Sequence, residues 1–113
     1  MANILSQNSW WVLNKSITTL LGLDASFLLS DLITRFEYWK KRGLLDEEGF
    51  FFVTKEEIEI DTTLSAYRQT TALRILESYK FVSSKRKGIP SKLFYRVSLD
   101  KINLTIINSH LEK

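Results

Sequence analysis

Cysteine is absent from the 113 residues, and histidine occurs once, at His110. Without thiols the chain can form no disulfide and no thiolate metal site, and one imidazole is too few for a usual zinc centre. No metal and no cofactor are therefore expected. Proline also occurs only once, and the hydrophobic share is 44%, which is the composition of a folded chain and not of a disordered one. Long hydrophobic runs are missing too. The longest, such as Phe27-Leu28-Leu29 and residues 49–53, fall far short of the roughly 18 residues a membrane-spanning helix requires. The first seven residues lack the basic start and apolar block of a signal peptide, so a cytoplasmic protein without a membrane partner is expected. No glycine-rich phosphate cradle appears. The carboxylates of Asp46-Glu47-Glu48 and Glu56-Glu57 fit a loop and a helix start, and His110 falls in the last turn of the chain. Nothing here assembles a catalytic constellation or a small-molecule site, so the expected protein is not an enzyme.

What is present is charge, unevenly placed. The formal net charge is only +3, but residues 66–96 carry eight bases (Arg68, Arg74, Lys80, Lys85, Arg86, Lys87, Lys92 and Arg96) against the single acid Glu77. Residues 24–64 carry ten acids against the five bases Arg35, Lys40, Lys41, Arg42 and Lys55. A basic segment in a folded domain is the electrostatic footprint of a nucleic-acid binder, because phosphate contacts supply most non-specific affinity. The length fits one domain spanning residues 1–113, with a core at about 10–99 and a terminal helix at about 100–111.

Along the chain, Trp10-Trp11-Val12-Leu13 reads as either a short strand or a hydrophobic lead-in. Residues 15–21 form a short helix with Ile17, Leu20 and Leu21 on one side, and Gly22 ends it. Asp24 is placed to cap a second helix, whose apolar spacing through Phe27, Leu28, Leu32, Phe36 and Trp39 runs to Lys40-Lys41-Arg42, with Gly43 as the stop. That basic cluster complements the negative end of the helix. Gly49 leads into Phe50-Phe51-Phe52-Val53, a short aromatic strand. Thr54-Lys55-Glu56-Glu57 has the capping-box pattern ahead of Ile58 and Ile60, so a third helix starts there and runs to about Asp61.

The stretch LSAYRQTTALRILESYKFVSSKRKGIPSKLFYR, residues 64–96, organises the rest. Ser65 is an N-cap, and Gln69, Ala72, Leu73, Leu76 and Lys80 share one face of the helix that follows. Phe81-Val82 and Leu93-Phe94-Tyr95-Arg96-Val97 are β-rich runs joined across residues 85–92, a hairpin with a basic tip marked by Gly88 and Pro90. Two helices joined by about four residues, then a basic hairpin, make a helix-turn-helix with a wing. The expected fold is α+β, mostly α: a winged helix-turn-helix with a small antiparallel sheet and an extra C-terminal helix. Ser65, Ala66, Tyr67, Arg68, Gln69, Thr70, Thr71 and Arg74 are the candidate contacts of the recognition helix, with Gln69 nearest the core. Lys85, Arg86, Lys87 and Lys92 are those of the wing.

The residues Leu64-Ser65-Ala66-Tyr67-Arg68-Gln69, with Lys85-Arg86-Lys87-Gly88-Ile89-Pro90-Ser91-Lys92-Leu93-Phe94-Tyr95, resemble small winged-helix proteins of phages, plasmids and other mobile elements. Among these are the N-terminal domains of replication initiators and of DnaD-type primosome proteins. The resemblance covers roughly residues 10–99. It implies binding of double-stranded DNA as a transcriptional regulator or as a replication or partition accessory. The alternative is a protein-interaction module on the same scaffold that binds no DNA. The terminal helix carries Ile102, Leu104, Ile106, Ile107 and Leu111 over more of its circumference than one packing face needs. A homodimer joined through Ile102, Ile106 and Leu111, with help from Trp10 and Trp11, is therefore expected; the alternative is packing on its own chain.

Overall fold

The computed structural model describes residues 14–111, without the side chains of the last two. The readings placed on Trp10, Trp11 and the His110 and Leu111 side chains lie outside the described residues. Helix α1 (Lys15–Leu21) is capped by Asn14, whose Oδ1 accepts from the Ile17 amide at 3.0 Å. Helix α2 (Leu23–Lys41) follows directly after Gly22. Asp24 does not cap it as expected. It lies inside the first turn, the cap position belongs to Gly22, and its carboxylate is held by Arg68. At the other end Gly43 (φ 70°) closes a Schellman turn, with the Leu44 amide donating to the Trp39 carbonyl and the Gly43 amide to that of Lys40.

Helix α3 (Lys55–Thr62) begins with the Thr54 cap of the capping box that its sequence announces, but the Glu57 carboxylate takes the Thr54 hydroxyl in place of the Thr54 amide. Thr54 Oγ1 accepts from the Glu57 amide at 3.0 Å and donates to the Glu57 carboxylate at 3.1 Å. A three-residue turn then leads to helix α4 (Ala66–Ser78). In that turn Thr63 is left-handed, Leu64 is buried, and the Leu64 amide donates to Thr62 Oγ1. Helix α4 is capped by Ser65 as expected and ends in a second Schellman turn. There the Phe81 amide donates to the Leu76 carbonyl and the Lys80 amide to that of Glu77. Lys80 therefore does not share the apolar stripe. It is the left-handed residue of the turn (φ 63°), it is exposed, and Phe81 takes the place beside Leu76 that the stripe needs.

Strands β1 (Phe51–Phe52), β2 (Val82–Lys87) and β3 (Lys92–Val97) form one antiparallel sheet in the order β1-β3-β2. The wing strands are longer than the sequence suggests, because each residue from Val82 to Lys87 finds a partner on β3, out to Lys87 opposite Lys92. The tip is only residues 88–91. The core joins Leu28, Leu29 and Leu32 of α2 to Ile58, Leu64, Leu73 and Leu76, with Phe81, Val82, Tyr95 and Val97 closing it from the sheet. Arg35 locks α2 onto α3 by donating to Asp31 and Asp61. Asp31 is buried, and desolvation pushes its carboxyl up despite Arg35.

Helix α5 (Leu99–Leu111) lies against α1. Ile102 is 5% exposed and belongs to the core, and Ile106 is half-buried against it. The expected use of Ile102 and Ile106 as a face between two copies is corrected accordingly, since burial within the chain already covers them. Among the described side chains of α5, Leu104 and Ile107 are the apolar ones left at the surface.

Candidate nucleic-acid interface

The outward face of α4 follows from helical spacing. Positions 67, 71 and 74 recur at four and three residues and so lie one above another. Ala66, Tyr67, Thr71 and Arg74 are all exposed, Tyr67 by 80%. Among the described residues the Arg74 side chain has neither a hydrogen bond nor an ion pair. Ser65 is occupied by its cap to the Arg68 amide at 3.2 Å. Thr70 is half-buried, with its hydroxyl donating to the Ala66 carbonyl and accepting from Lys55 Nζ at 2.9 Å.

Two of the expected helix contacts are corrected. Gln69 is 1% exposed, and its Nε2 donates to the carbonyls of Lys55 and Leu64, both at 2.9 Å. It staples the two helices of the motif together and is out of reach of any ligand. Arg68 grips Asp24 with two bonds, Nε at 2.9 Å and Nη2 at 2.6 Å. The Arg68 hydrogen bond holds the Asp24 carboxyl below its ordinary range. Arg68 thus ties α4 to the start of α2 through two of its guanidinium nitrogens, while the side chain stays half exposed.

The wing has two faces, because side chains alternate along a strand. Val82, Ser84 and Arg86 share the face that carries buried Tyr95 and Val97. Burial pushes the Tyr95 phenol up to about 12, and Arg86, which lies diagonally across the ladder from it, pulls the other way by its charge. Lys85, Lys87, Lys92 and Arg96 lie on the opposite face with Phe52 and Phe94. Cations there stand over rings, Lys85 over Phe50 at 4.1 Å, Lys87 over Phe94 at 4.3 Å and Lys92 over Phe52 at 5.2 Å.

Acids reach this outer face from the loop before β1. Asp46 accepts from the Phe50 amide at 2.9 Å and the Glu48 amide at 2.8 Å, and it pairs with Lys85 at 3.0 Å and Lys87 at 3.1 Å. Glu48 adds a second partner for Lys85 at 2.6 Å. The Phe50 amide above all, with help from the two lysines, holds the Asp46 carboxyl well below the usual carboxylate range. The basic tip expected from the sequence is therefore partly neutralised, and Lys85 and Lys87 have carboxylate partners. Arg86, on the helix side, has no ion pair among the described residues.

At the end of α2, Lys40 stands over Phe36 and Arg42 over Tyr38, while Arg42 also donates to the Tyr38 carbonyl. That agrees with a helix-end role for the Lys40-Lys41-Arg42 cluster. Lys55 is not among the contacts expected from the sequence, although a cation in the first turn opposes the helix dipole, a mismatch that Thr54-Lys55-Glu56-Glu57 displays.

Two solved structures share this architecture. One is described as "N-Terminal domain of DNA binding protein" and the other as "Structure of Rep-DNA complex". Each superposes with a TM-score of 0.64 at 18% identity over 79% of this chain, covering 73% of the first and 74% of the second. No family model and no curated protein matches the sequence. The element order, the capped second helix and the paired hairpin, with these likenesses, define a winged-helix domain.

Proposed function

We propose that this domain binds double-stranded DNA in a replication-related role, with α4 in the major groove and the wing against the backbone. The observation that carries the proposal is the outward face of α4, where Tyr67 stands four-fifths exposed beside an Arg74 whose side chain has no partner among the described residues. A major groove admits a helix, and arginine on its outer face can donate two bonds to a guanine edge. Exposed Ala66 and Thr71 leave the approach open, and a threonine methyl can meet that of thymine. The Rep–DNA complex among the structural neighbours supports the same reading. The sequence-specific form of this binding, in a small protein of a phage or plasmid, rests on Tyr67, Thr71 and Arg74. We infer further that two copies act together through the exposed Leu104 and Ile107 of α5, which doubles the phosphate contacts per complex.

The test is a mobility shift on DNA selected from random sequence, at two salt concentrations, with Arg74→Ala and Tyr67→Ala beside the wild type. Affinity should fall steeply with salt. The substitutions should erode discrimination by about 1–3 kcal/mol where a base-edge contact is lost, while leaving non-specific binding in place. A protein-interaction module would give no shift at any salt, and that result would overturn the proposal.

A further inference from the structure

Lys55 sits where physical chemistry disfavours it three times over. It is the first residue of α3, where the helix dipole repels a cation. It is half-buried, and desolvation lowers its pKa, with the nearby Arg86 charge lowering it further. Its Nζ donates to a neutral hydroxyl, Thr70 Oγ1, and to no carboxylate among the described residues. This is unexpected in a segment where Glu56, Glu57, Glu59 and Asp61 stand close in sequence. Arg86 stands opposite Leu93 on the wing face that carries Tyr95, and the next residue of β3, Phe94, pairs with Phe52 of β1, from which the chain runs on to Lys55, so the sheet brings both cations to one end of the wing; the lowering of the Lys55 pKa by the Arg86 charge agrees with that placement. Two cations from different elements thus share this end of the wing with no ion pair among the described residues, whereas Lys85 and Lys87, next to Arg86 in sequence, are each matched to an acid.

We propose that Lys55, Thr70 and Arg86 form one phosphate-binding clamp that bridges the helix-turn-helix and the wing. A phosphodiester oxygen set between the ammonium and the guanidinium removes their mutual repulsion, and the Thr70 hydroxyl fixes the lysine's direction. Thr70 is on α4 and Arg86 on β2, so the phosphate sets the angle between the reading helix and the wing. Positioning of this kind fixes register on the duplex and carries no sequence information itself. The clamp rests on the DNA-binding reading above and names where the backbone is held.

The experiment uses the full chain with a fluorescein-labelled mixed-sequence duplex, for wild type, Lys55→Met, Arg86→Gln, Thr70→Val and the Lys55→Met/Arg86→Gln double variant. Loss of one phosphate contact should cost about 0.9 of the salt slope, which at about 0.1 M salt is roughly eightfold in affinity. The double variant should lose less than the product of the two single losses, because both side chains serve one phosphate. Lys55→Met should leave thermal stability unchanged or raise it, since it relieves a desolvated charge; a lysine with a merely structural role would lower it. Thr70→Val should weaken binding less than Lys55→Met. Wild-type affinity and slope in both single variants would overturn the clamp and leave the DNA reading intact, and a product-like double variant would overturn the shared phosphate. A wild type that binds no DNA at any salt would overturn both readings.

Discussion

Asp46→Asn separates the charge of the acidic loop from its architecture. In the wild type one carboxylate oxygen accepts the Glu48 and Phe50 amides at 2.8 and 2.9 Å, while the other faces Lys85 and Lys87 at 3.0 and 3.1 Å. Asparagine keeps the first oxygen and replaces the second with a nitrogen that repels both ammoniums. The turn before β1 should therefore survive, and stability should change little, because exposed ion pairs are weak and screened. DNA binding should change more. Lys87 loses its carboxylate partner, whereas Lys85 retains Glu48, so between one and two lysines become available to phosphate. Each adds about 0.9 to the slope of log affinity against log salt. Between about 50 and 200 mM salt, a fourfold change, one lysine adds about 3.5-fold to the affinity lost and two add about 12-fold. Fluorescence anisotropy across that range measures the difference, with affinity at the low-salt end rising above wild type. An Asp46→Asn variant with the wild-type slope and a wild-type melting curve would refute the reasoning, since it would mean that the carboxylate was not competing with DNA for these lysines.

Two further outcomes follow from other elements. The Asp24 carboxyl is depressed mainly by its Arg68 hydrogen bond, so the stability it contributes is present above the ordinary carboxylate range and is lost as pH falls through the depressed value. Denaturant melts of wild type and Arg68→Met should differ at neutral pH and converge as pH falls below the depressed value; a gap that persists in strong acid would show that the pair does not titrate. Light scattering at micromolar concentration should give a dimer mass that Ile107→Glu reduces to the monomer without unfolding, whereas a wild type of monomer mass would end the dimer reading.

The elements that were legible in the sequence are those specified by neighbours along the chain. Thr54 with Glu57, Ser65 ahead of α4, and Gly43 after α2 each place a hydrogen bond within a few residues, and each forms where the pattern puts it. The full length of the wing is not legible in the sequence because Ser83, Ser84, Lys85, Arg86 and Lys87 have little intrinsic strand preference. What makes them a strand is pairing with β3. Gln69 looks like a surface contact because it is polar, and only the carbonyls of Lys55 and Leu64 explain its burial. Arg68 with Asp24 and Lys85 with Glu48 are separated by 44 and 37 residues, and no local pattern announces such partners.

Those long-range pairs alter what the charge of the chain means. Eight bases between residues 66 and 96 suggest eight phosphate contacts, which at about 0.9 each would give a salt slope near −7 per protomer. Folding brings acids from the other half of the chain onto three of them, Arg68, Lys85 and Lys87. Lys80 closes a helix end, and Arg96 stands over the Phe50 ring while donating to the Glu48 carbonyl. Among the described residues the cations that remain without a carboxylate partner on the helix-turn-helix and the wing are Arg74, Arg86, Lys92 and Lys55, the last drawn from the acidic half. Four such contacts correspond to a slope of about −4 per protomer. A slope near −7 would mean that DNA strips the internal acids from their partners. In that case the acidic loop, and not the recognition helix, would set how tightly the protein holds non-specific DNA.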